Sequence, residues 1–135
     1  KEEESHDLHL DWNFQRTLAK VNYRIHTDAI KENLIPSEIS NQQASFIYAN
    51  EADLLNVALF GKTSKEWRSQ NLEIKGNIRD DATIEQLVVL SNMESINALL
   101  IQQEFSQCER LVQLNKVAIT QMKSLIESKV LKKIK

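Results

Sequence analysis

Four cations mark the stretch with the clearest capacity for chemistry. In "NVALFGKTSKEWR", residues 56–68, an apolar run meets Gly61 and then Lys62, Lys65 and Arg68, and Arg79 follows a little further on. Such a group can neutralise phosphates, and contacts of that kind weaken as salt rises. Helix, glycine turn and second helix is also the plan of a helix-turn-helix, whose second helix enters the major groove. The match over about residues 54–70 is partial. Val57 stands four before the turn glycine where a small residue belongs, with Ala58 next to it, and Gln70 falls where another apolar residue after Trp67 is wanted. Direct nucleic-acid contact and a plain corner between two core helices therefore stand side by side.

Other reactive residue types are scattered. His6 and His9 share a helix face with Glu2 nearby, a spacing compatible with a weak metal site, but no further ligand converges on them. His26 reads as an N-cap neighbour or a satisfied polar residue rather than a catalyst. Cys108 is the single cysteine. It has no acid–base partner marked by a motif and cannot form an internal disulfide, which suits a reducing cytoplasm. Nucleophile elbows, phosphate loops and paired zinc cysteines are absent from the sequence. An enzyme, a cofactor and a metal are accordingly not expected. An enzyme with a non-standard site would need a polar pocket that the sequence does not reveal.

The elements that must position these residues are helices. Hydrophobic content is 41% and charged content 27%, which suits a soluble globular chain and argues against disorder. With two glycines and one proline in 135 residues there are too few turns for a strand-rich fold. The expectation is one all-α domain over residues 1–135, with no run apolar enough to span a membrane. The opening "KEEESHDLHLDW" reads like the middle of a helix without an initiating Met, as in a fragment whose N-terminal part has been removed.

Charge is segregated beneath a net value of −2. Residues 1–11 carry one lysine against five acids, and residues 60–79 carry five cations against two acids. From Lys123 onward there are five lysines against Glu127, an arrangement that also serves simply to complement a helix C-terminus.

Apolar spacing sets the helices. Leu10, Phe14, Leu18, Val21 and Ile25 step by four, four, three and four, which predicts a first helix from about 4 to 25 with this face inward. A restart near Thr27 or Asp28 should run to Pro36. Ser40 is the expected N-cap of a second helix with Ala44, Ile47, Tyr48, Leu54, Leu55 and Ala58 inward. Gly61 should be its left-handed C-cap. Thr63 and Glu66 match the capping box of a short helix anchored on Trp67. Asp80 or Asp81 is the expected cap of a helix over about 84–103, apolar almost all round and hence central, with Asn92, Ser95 and Asn97 bonding to its neighbours. Ser106 and Glu109 open a long last helix, about 107–128. There Leu111/Val112, Ala118/Ile119 and Leu125/Ile126 recur every seven residues, and Leu111, Ala118, Leu125 and Ile126 are the candidate oligomer interface.

Several long strings, "NYRIHTDAIKENLIP" (22–36), "YANEADLLNVALFGKTSKEWR" (48–68), "GNIRDDATIEQLVVLSNMESINALLI" (76–101) and "ERLVQLNKVAITQMKSL" (109–125), resemble the region after the KilA-N domain in bacterial and phage-type KilA-N proteins. The resemblance covers about residues 8–128. It implies a helical module attached to a DNA-binding protein whose DNA contacts lie in the KilA-N domain, which is not in this chain, so none of them transfers to a residue here. Asp81 departs from the tyrosine expected after "NIRD", which puts any role of an aromatic there in doubt. The expected function is self-association or partner binding that presents two DNA-binding domains together, which raises effective affinity without new base contacts.

Overall fold

The computed structural model describes the backbone of residues 2–127 and the side chains of residues 13–127. Four long helices and one short one account for the architecture. They are α1 (Glu2–Asn33), α2 (Asn41–Phe60), α3 (Ser64–Gln70), α4 (Ile84–Gln102) and α5 (Gln107–Glu127), and no strand occurs among the described residues.

Local chemistry sets most boundaries. Ser40, Thr63 and Thr83 each accept from the amide three residues on, while Gln43, Glu66 and Gln86 reach back to the cap amide, so three helices start with complete capping boxes. Gly61 ends α2 at φ 78°, a left-handed conformation that costs an L side chain, and its amide donates to the Val57 carbonyl at 3.0 Å. The cap of α4 is Thr83 rather than Asp80 or Asp81. Asp80 instead closes the preceding turn by accepting from the Asn77 amide at 2.8 Å, and Asp81 is exposed. At α5, the Ser106 hydroxyl accepts from the Glu109 amide at 3.2 Å, as its spacing suggests.

Two expectations about α1 change. The helix does not break near Thr27, whose hydroxyl donates back to the Arg24 carbonyl at 3.1 Å, and it continues to Asn33, three residues before Pro36. Its inward face is also not the expected one. Phe14, Leu18, Val21 and Ile25 are 66%, 47%, 48% and 41% exposed, and Leu10 lies outside the described side chains. His26, Ala29 and Ile30 are buried in their place. The Asn22 side chain donates to Ser91 of α4 at 3.0 Å, which marks the same inward side.

Cross-helix contacts give the directions. Asn22 meets Ser91 and His26 meets Asn97, so α1 runs parallel to α4. Glu51 and Ala58 of α2 meet Arg110 and Asn115 of α5, so those two also run together. Asn92 bonding Gln121 sets α4 against α5. The core joins Leu54, Leu55 and Ala58 of α2, Val89, Leu90 and Met93 of α4, and Leu114 and Ala118 of α5. Against the sequence expectation of no run apolar enough to span a membrane, α4 is apolar enough to cross one by length and composition, the one such helix among the described residues. In this fold it is the central helix, flanked by α1, α2 and α5.

Candidate functional site

The most concentrated chemistry lies inside the bundle. Each long helix sends a polar side chain to one place: His26 from α1, Glu51 from α2, Glu94 and Asn97 from α4, and Arg110 from α5, all less than 5% exposed. Asn97 is the hub. Its amide nitrogen contacts His26 Nε2 at 2.9 Å and donates to Glu51 Oε1 at 3.0 Å, while its carbonyl accepts from Arg110 Nη1 at 3.0 Å. The guanidinium of Arg110 forks onto the Glu51 carboxylate through Nη1 to Oε1 and Nη2 to Oε2, the latter at 3.1 Å. Arg110 Nε then donates to the Phe105 carbonyl at 3.2 Å, and Gln107 donates to Glu51 Oε2 at 3.1 Å. A planar guanidinium and a carboxylate suit this two-point geometry, which a lysine does not reproduce.

Burial sets the charge states. Burial raises the Glu51 carboxyl, but hydrogen bonds from Arg110 and Asn97, aided by the Arg110 charge, outweigh it and hold Glu51 below the ordinary range. Burial lowers His26 to about 4, against the opposing pull of Glu51 and with a further push from Arg79 and Arg110. Burial raises Glu94 to about 7, and Arg79 only partly offsets it. His26 Nδ1 and Glu94 Oε2 are 4.0 Å apart, at the edge of ion-pair reach. Because burial disfavours both charges, between about pH 4 and 7 the pair is a neutral imidazole facing a protonated carboxyl. Since Asn97 donates to His26 Nε2, the imidazole proton belongs on Nδ1, toward Glu94. The donors and acceptors of Glu51, Asn97 and Arg110 are used on one another and on Gln107 and Phe105. This arrangement ties four helices in register.

The basic corner is built differently. The Asp53 carboxylate accepts from the Ser64 amide at 3.0 Å and from Asn56, and Asn56 donates to the Ser64 hydroxyl at 3.0 Å, locking α2 to the start of α3. Trp67 is buried as expected. Arg68 lies over its ring, 5.0 Å from the centroid, and donates to the Ile74 and Asn71 carbonyls. Lys62 donates to Gln70 at 2.9 Å. Arg79 acts electrostatically on His26 and Glu94. Lys65 alone of the four is exposed, the other three being half-buried. The four candidate phosphate contacts are therefore not presented as one set, and Asp53 and Glu66 both stand at the α3 N-terminus.

The candidate oligomer residues divide between inside and outside. Ala118 is in the core, and Leu111 and Leu125 are half-buried against it. Ile126 is 63% exposed and continues a stripe with Val112 (53%) and Ile119 (63%). The adjacent heptad series, not the inward one, faces out. Cys108 is exposed. His6, His9 and Glu2 lie outside the described side chains, and no group of three metal-ligating residues occurs among the described ones.

Sequence reasoning placed Asn97 as a satisfied polar residue and left His26 as that or an N-cap neighbour. The latter is excluded because α1 runs unbroken through it. It missed Glu51, Glu94 and Arg110. The available signal was a charge on an apolar helix face: Glu51 lies three before Leu54, and Arg110 four before Leu114. Together these features define a four-helix bundle pinned by a buried polar cross-tie, with apolar stripes on its outer surface. No protein-family model, curated protein or solved structure matches the chain.

Proposed function

We propose that this chain is a helical accessory module of a KilA-N-type, phage-related DNA-binding protein, and that its work is self-association in the cytoplasm. It presents two copies of a DNA-binding domain together and carries no catalytic activity, cofactor or metal of its own. The observation that supports this reading is the apolar stripe on α1, where Phe14, Leu18, Val21 and Ile25 stay exposed along one face of a long helix. Contiguous apolar surface of this kind marks an interaction site more often than a bare surface. The stripe on α5 adds a second such face. Light scattering coupled to size-exclusion chromatography over a concentration series tests the proposal. A mass that rises from one chain to two is expected, and a single-chain mass at every concentration overturns it.

A second reading, direct nucleic-acid contact through the corner at about 54–70, draws on the exposure of Lys65. Against it stand the short α3, the internal bonds of Lys62 and Arg68, and the carboxylates of Asp53 and Glu66. A gel shift with mixed-sequence duplex that disappears on changing Lys65 to Ala and weakens steeply with salt would favour it instead.

A further inference from the structure

We infer that α1 is a detachable strap, which lifts as a unit from a body of α2, α4 and α5 that stays folded without it. The inference goes beyond the association reading and does not depend on it.

The body is closed on itself in both its apolar and its polar contacts. The eight buried side chains of the core cluster all come from α2, α4 and α5, and so do the half-buried ones packed against it. The charges close in the same way. The Glu51 carboxylate accepts from Asn97, Gln107 and Arg110, and Arg110 turns its Nε to the Phe105 carbonyl. Asn115 donates to the Ala58 carbonyl at 3.0 Å and Asn92 to Gln121 at 2.9 Å, which adds ties from α5 to α2 and to α4. Neither Glu51 nor Arg110 depends on α1 for a partner.

The strap adds little to this body, although it lies along α4. Among its described side chains α1 buries His26, Ala29 and Ile30, of which only Ile30 is large and apolar. Two side-chain hydrogen bonds join those side chains to α4, from Asn22 to Ser91 at 3.0 Å and from Asn97 to His26 at 2.9 Å. Burial holds both His26 and Glu94 neutral between about pH 4 and 7, so there their separation breaks no ion pair. One helical turn past His26, the parallel register sets Ile30 level with Ile101, which makes Ile30 the apolar anchor. Phe14, Leu18, Val21 and Ile25 are already exposed, so lifting α1 brings little further apolar surface into water. Residues 34–40, with Pro36 among them, form the connection about which it turns. Opening uncovers the side of α4 that carries Ser91, Glu94 and Asn97. Elements with few buried apolar contacts open ahead of the rest of a fold in this way.

Hydrogen exchange on the whole chain, followed residue by residue in urea below the unfolding midpoint, tests the inference. Amides of residues 22–33 should share one urea dependence and one protection level, at least about tenfold below that of residues 110–120 in α5. Ile30→Ala should speed exchange in α1 about tenfold or more and leave α5 unchanged. Val89→Ala, in the body, should speed exchange in α2, α4 and α5, while α1 keeps its own rate. If Ile30→Ala speeds α5 as much as α1, the four long helices open together and the inference is overturned. Protection that falls residue by residue from Asn33 back to Asn22, with no shared urea dependence, is fraying of a helix end and overturns it equally.

Discussion

The buried cross-tie and the basic corner are both rich in charge, yet they use it in opposite ways. In the cross-tie, Glu51 and Arg110 come from helices far apart in sequence, and their bonds close a network inside the core. In the corner, Lys62, Arg68, Asp53 and Glu66 bond to groups only three to eleven residues away in sequence and shape a turn. One set fixes how helices meet, and the other fixes how a single connection bends. A count of charges therefore says little about function until the partner of each charge is known.

The difference should be largest in single truncations. Arg110→Ala leaves the buried Glu51 carboxylate without its counter-charge and should cost about 3–5 kcal/mol in urea unfolding. Replacing both, as Glu51→Leu with Arg110→Met, should cost much less than the sum of the single changes. If the double variant loses the full sum, the two residues are not coupled and the cross-tie reading fails.

The pH dependence sharpens the same comparison. Glu51, Arg79 and Arg110 are the other charges facing the His26–Glu94 pair. His26 has its pKa lowered from 6.5 to about 4, so across that interval the unfolded chain binds more protons there and stability rises with pH. Glu94 has its pKa raised from 4.5 to about 7, so there the folded chain binds more protons and stability falls with pH. Between about 4.5 and 6.5 the two slopes oppose each other, and the unaltered chain should show a nearly level profile. Glu94→Gln should uncover the His26 slope, with stability climbing by about 3 kcal/mol between pH 4 and 6.5. His26→Gln should do the reverse and lose stability as pH rises from 4.5 to 7. Thermal unfolding at a series of pH values measures both. Glu51, held below its ordinary range, adds stability above pH 4.5 that is lost on further acidification.

Smaller effects belong to the corner. Gly61→Ala should cost about 1 kcal/mol, all of it backbone strain, because an added Cβ meets nothing within 4 Å at φ 78°. Thr63→Ala should cost about 1 kcal/mol by removing the hydroxyl that accepts from the Glu66 amide. Lys65→Ala should change stability by less than about 0.5 kcal/mol. A loss near 2 kcal/mol at Lys65 would show that the corner depends on a contact of that side chain.

Several features could be read in the chain before folding. The all-α class followed from two glycines and one proline, and the Ser40, Gly61, Thr63 and Ser106 caps from spacings of three or four residues. These are contacts within a turn of helix, so residue type and spacing contain everything needed. Even there competition intervened, since Thr83 with Gln86 offered α4 a full capping box and displaced Asp80 and Asp81.

Tertiary structure alone decided which faces meet. On α5, Leu111 and Val112 begin two apolar series only 100° apart, and the position of α2 and α4 determines that the first goes inward and the second stays out. On α1, the apolar stripe lost the inward side to Asn22, His26, Ala29 and Ile30, because α4 offers Ser91 and Asn97 as partners there. Glu51 and Arg110 are 59 residues apart in sequence, and only the meeting of α2 and α5 shows that each is the other's counter-charge. Periodicity fixes that a helix has an apolar face. The burial of polar groups that find partners across the bundle fixes which face goes in.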